Sequence, residues 1–88
     1  MTYEIALTDK ARDFYKFTSP AIAKKLARCF STLEQNPCQH PNIKALKGNL
    51  LGFYRFRVGD YRVVYEINEQ AKQVNVTNIA HRSDVYDR

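Results

Sequence analysis

Arg55, Arg57 and Arg62 are the residues whose type and spacing could do chemistry, and that chemistry would be on a phosphate. They lie in the run Gly52-Phe-Tyr-Arg-Phe-Arg-Val-Gly-Asp-Tyr-Arg-Val-Val-Tyr65. Gly59-Asp60 separates two β-branched and aromatic segments by the two residues a tight hairpin turn requires. Pairing across that turn sets Val58 opposite Tyr61, Arg57 opposite Arg62, Phe56 opposite Val63, Arg55 opposite Val64 and Tyr54 opposite Tyr65. Side chains alternate with period two, so Tyr54, Phe56, Val58, Tyr61, Val63 and Tyr65 share an apolar face that must pack on a core. The arginines share the other face. Two arginines directly opposite one another repel, which a stability argument would avoid and an anionic ligand would relieve. The plainer reading is that they keep one sheet face soluble, although mixed signs would serve that purpose as well.

Other candidates are weaker. Cys38 and His40, with distant His81, lack the paired ligand spacing of zinc sites. Cys29 and Cys38 are the only cysteines, and nothing near the N-terminus reads as an export signal or membrane span. The thiols are therefore expected reduced, in a cytoplasmic protein. The 88 residues suit one domain with one core, and the net charge of +5 points to an anionic partner, nucleic acid ahead of membrane.

The elements that must position the arginines follow from periodicity. Tyr3, Ile5 and Leu7 alternate with Glu4 and Ala6 as in a half-buried strand. Thr8 or Asp9 then caps a short helix over Asp9–Phe17, whose apolar stripe is Ala11, Phe14, Tyr15 and Phe17. Ser19-Pro20 starts a second helix, with Ile22, Leu26, Cys29, Phe30 and Leu33 on one face, running to about Glu34 and stopped by Asn36-Pro37. Lys24, Lys25 and Arg28 lie off that stripe and read as a solvated face, the alternative being a nucleic-acid footprint. A loop passes His40-Pro41. Ile43–Gly48 leads into the hairpin without a clear strand pattern, with Leu46 in the core and Lys44 and Lys47 exposed near the basic face. Asn68–Lys72 is a polar turn, and Gln73–Ile79 is a last strand with Val74 and Val76 on one face. Its alternation slips between Val76 and Ile79, which predicts a bulge or a twist late in the strand. The order β-α-α-β-β-β implies an α+β fold: an N-terminal strand, a helical hairpin and a three-stranded antiparallel meander completing one sheet, in one domain spanning 1–88.

Nearly the whole chain resembles the RelE/ParE superfamily of toxin–antitoxin toxins, and within it the RelE-like messenger-RNA endonucleases. The resemblance rests on Leu46-Lys47-Gly48, on Tyr54-Arg55-Phe56-Arg57 with Gly59-Asp60-Tyr61-Arg62-Val63-Val64-Tyr65, and on His81-Arg82 with Val85-Tyr86. It implies a toxin restrained by a cognate antitoxin. It also implies cleavage of mRNA in the ribosomal A site by attack of a ribose 2′-hydroxyl on the adjacent phosphate, without metal or other cofactor. At the matching positions stand Arg55, Arg57, Arg62, Arg82 and Tyr86: guanidiniums to hold the phosphate and stabilise developing charge, and a ring to stack on a base. Lys44 and Lys47 would add weaker RNA contacts. Well-known members carry lysines in place of Arg55 and Arg57, and a guanidinium cannot give up its proton at working pH. That leaves His81 as candidate general base, or else a strand-end histidine that only packs. Two other functions stay open: a ParE-like gyrase inhibitor and a non-catalytic RNA-binding module.

Overall fold

A computed structural model describes residues 2–84. The elements are β1 (Glu4–Leu7), α1 (Asp9–Phe17), α2 (Pro20–Gln35), β2 (Ile43–Ala45), β3 (Phe53–Val58), β4 (Tyr61–Asn68) and β5 (Gln73–His81). They build an α+β fold around one five-stranded sheet of order β1-β5-β4-β3-β2. Both helices start at hydroxyl caps: the Thr8 side chain accepts from the Ala11 N–H and the Ser19 side chain from the Ile22 N–H, satisfying donors that the first helical turn leaves unpaired.

The hairpin has the register that its turn dictates, Val58 facing Tyr61, Arg57 facing Arg62 and Tyr54 facing Tyr65. Gly59 takes a φ of 58°, a left-handed conformation that suits glycine in this turn. The expected slip in the last strand is a bulge. Val64 pairs with Asn78 but Tyr65 pairs with Val76, so Thr77 is the extra residue, and its hydroxyl donates to the Val64 carbonyl at 3.3 Å. The bulge returns Ile79 to the face that Val74 and Val76 occupy; all three are buried in the core cluster with Ala11, Leu26, Cys29 and Leu33 of the helices.

Three details depart from the periodicity. Phe17 is exposed, because Ala11, Phe14 and Tyr15 already define the inward face of α1 and Phe17 lies beyond it, with the Lys16 ammonium 5.4 Å from its ring centre. Leu46 is half-buried and outside the core cluster, since β2 is a short edge strand that ends before it. The segment before the hairpin does contain a strand, with Lys44 facing Arg55. The first strand pairs in parallel with the last, Glu4 with Gln73 through Leu7 with Val76, because the two helices carry the chain across one face of the sheet before the meander begins.

Candidate active site

Register places Arg55, Arg57, Arg62 and Lys44 on one face of the sheet, opposite the face that meets the helices. The middle of that face is not wholly polar. Val64, directly across from Arg55, is 7% exposed, yet it is the one buried hydrophobic residue outside the core cluster among the described residues. Val64 is thus buried on the face away from the helices. The arginine face therefore includes one buried apolar residue, Val64, across from Arg55.

Backbone contacts pin the arginines at the β2 edge. The Asn42 carbonyl accepts from the Arg57 N–H at 3.0 Å and from Arg55 Nη1 at 3.3 Å. Asn42 itself is held by donating its N–H to His40 Nδ1 at 3.1 Å, and the His40 ring lies 4.9 Å from that of Phe56. Tyr65 anchors the same loop from beneath, its hydroxyl donating to the Pro37 carbonyl at 2.7 Å. Burial pushes the Tyr65 phenol above its usual range, so it stays a donor.

Arg82 follows β5 at the hairpin-turn end of the sheet. Its backbone N–H donates to the Asp60 carbonyl at 2.7 Å, and its guanidinium Nε lies 3.9 Å from the Asp60 carboxylate. Arg82 thus stands at the same end as Arg57 and Arg62. Lys47 is exposed just past β2, out of register with the hairpin. Tyr86 lies outside the described residues.

His81 does not join the arginines. It pairs with Tyr61, which puts it on the helix-covered side, its ring edge-on to Tyr61 at 5.3 Å and Tyr61 in turn edge-on to Phe14 at 5.8 Å. The Ser83 N–H donates to His81 Nδ1 at 3.3 Å, with the Ser83 hydroxyl 2.9 Å from the same nitrogen. A backbone N–H can only donate, so Nδ1 is the accepting nitrogen and the neutral ring carries its proton on Nε2. The bulge at Thr77 is what turns His81, like Ile79, onto the helix-covered face and away from the arginines. The features that sequence reasoning missed here are Val64 and Asn42; both act through position in the register rather than through residue type.

The likeness to known proteins spans the whole fold. The family described as "ParE toxin of type II toxin-antitoxin system, parDE" matches residues 6–86. Toxin RelE of Mycobacterium tuberculosis is 36% identical over 85 residues, covering 96% of this chain and 86% of that protein. Toxin RelG of the same organism is 30% identical over 89 residues, covering 100% of both. Among solved structures, the RelBE2 toxin–antitoxin complex of Mycobacterium tuberculosis contains a chain that superposes with a TM-score of 0.80 at 28% identity, covering 93% of this chain and 100% of that one.

Proposed function

The chain belongs to the ParE toxin family of type II toxin–antitoxin systems, within the RelE/ParE superfamily, and from that premise we propose that it cuts mRNA in the ribosomal A site. One observation carries the reading: Arg57 directly faces Arg62 on the sheet face away from the helices, with Arg55 beside them and Arg82 at the same end. A layer of fixed guanidiniums suits a phosphate that gains charge as it reacts. In the reaction the 2′-oxygen forms a bond to the adjacent phosphorus and the bond from phosphorus to the 5′-oxygen breaks. A 2′,3′-cyclic phosphate and a 5′-hydroxyl result. One proton leaves the 2′-hydroxyl and one reaches the leaving oxygen. The arginines hold and stabilise the phosphate but stay protonated, and His81 faces away, so the proton acceptor is water or a ribosomal group. His81 instead fixes the end of β5 through Ser83, and with it the start of Arg82. Tyr86 is assigned the stacking role on a base, with Lys44 and Lys47 as outlying phosphate contacts.

A cytoplasmic toxin of this kind needs restraint, and the antitoxin complex of its M. tuberculosis relative supports a cognate antitoxin as partner. The ParE description of the matching family supports a second reading, inhibition of gyrase by binding alone. One experiment separates the two: purified protein is added to translating ribosomes and mRNA ends are mapped, with gyrase supercoiling measured in parallel. New ends within A-site codons are expected, with supercoiling intact. Intact mRNA with abolished supercoiling would assign the second reading.

A further inference from the structure

An open cleft of about 290 Å³ lies between α2 and the free end of β3, on the side of the sheet away from the arginine face. Lys25, Arg28 and Thr32 line it from α2, His40 and Asn42 from the loop, and Arg57 from β3. On α2, Lys25, Arg28 and Thr32 fall three and four residues apart, so one helix face presents them together. They are more than a solvated stripe, because β2 stops short and leaves the cleft open beside them.

The cleft gathers positive charge without neutralising it. No carboxylate lines it among the described residues, and the ion pairs Arg12–Asp9, Lys72–Glu69 and Arg82–Asp60 engage neither Lys25, Arg28 nor Arg57. His40 adds an oriented donor: the Asn42 N–H occupies Nδ1, so the neutral ring carries its proton on Nε2. Two cations of one helix face beside the depression, with Arg57 at its rim and His40 in its lining, make a site for an anion.

We propose that this cleft binds a backbone phosphate of RNA, as a second contact beyond the arginine face. Arg57 decides between a nucleic acid strand and an acidic peptide. It belongs both to the Arg57–Arg62 pair and to the cleft lining, so the two basic surfaces meet at one residue around the edge of β3. A ligand with charges repeated along a continuous backbone can occupy both in one passage. The inference rests on the RNA-directed reading above, but it concerns binding and not cleavage.

The test uses a 2′-O-methyl RNA of about ten nucleotides, which offers no 2′-hydroxyl for attack and is long enough to span a typical single-strand site. Its affinity for the full chain is measured by fluorescence anisotropy between about 50 and 200 mM salt. Removing one phosphate-binding cation lowers the slope of log affinity against log salt by about 0.7. The double variant Lys25→Gln/Arg28→Gln is expected to reduce that slope by about 1.4 and to bind about tenfold or more weakly at the lowest salt. Lys16→Gln/Lys24→Gln removes the same charge elsewhere and is expected to keep the slope; circular dichroism checks that both variants fold. Equal slopes for the two variants would overturn the cleft. So would a cleft variant that keeps its RNA slope and gives up only its hold on a copurifying antitoxin. Ribosomal cleavage, assayed separately, tells the two failures apart: a flat result beside intact cleavage removes the cleft alone, and a reduced slope without any cleavage removes the nuclease reading alone.

Discussion

At the scale of single residues, the arrangement separates side chains that hold the fold from side chains that the fold holds out. Arg82 is exposed and its ion pair with Asp60 is long, so Arg82→Ala should change stability by less than about 1 kcal/mol. If Arg82 stabilises charge in the reaction, the same variant should lose roughly a hundredfold or more in ribosome-dependent cleavage. Undiminished cleavage by a folded Arg82→Ala protein would take it out of the site. Tyr65→Phe should show the reverse. It deletes the buried hydrogen bond to the Pro37 carbonyl and should cost about 1–3 kcal/mol in urea unfolding while leaving every arginine in place. The arginines were legible from the run Tyr54–Tyr65 because residue type and hairpin spacing both pointed to them. Val64 was not: alternation turns it outward correctly, but its burial depends on its surroundings in the fold, which no single-residue pattern encodes.

Among the elements, β5 has the tightest constraint. Thr77 is the residue that lets Val76 and Ile79, three apart, share a face in a strand of period two. Deleting Thr77 keeps every core residue yet turns residues 78–81 over relative to 73–76, sending Ile79 out of the core and His81 toward the arginine face. Loss of Ile79 burial alone is worth about 2–3 kcal/mol, so the deletion should unfold the protein or lower its melting temperature by many degrees. A deletion variant with near-normal stability would mean that the register can slip at little cost. Val63→Asp, on the core face of β4, should be as damaging for a different reason, an unpaired charge in the core. The bulge was visible in the sequence as a broken alternation, and the hairpin register followed from Gly59-Asp60. The strand at Ile43–Ala45 was not visible, since three residues are too few to show a period.

For the whole molecule, the core sets a limit on alkaline stability. Cys29 is 2% exposed, and burial pushes its thiol from the usual 9.0 up to about 12. Below pH 9 folded and unfolded chains both keep the proton. Above it the unfolded chain releases the proton while the folded one retains it, so each further pH unit removes up to about 1.4 kcal/mol until the buried thiol titrates. Tyr65, also raised by burial, acts in the same direction above its usual 10.0. Urea midpoints should fall as pH rises past 9, and Cys29→Ala, though less stable at neutral pH, should fall less steeply; parallel curves would remove Cys29 as a cause. What the sequence could not show at this scale is which edge of the sheet the first strand takes, because apolar alternation in Tyr3–Leu7 says that it is half-buried and not beside whom. That parallel pairing has a consequence for synthesis. Glu4–Leu7 is made well before Gln73–Val76, its strand partner among the described residues, so a growing chain carries its core-lining side chains unclosed until Val76 has been translated.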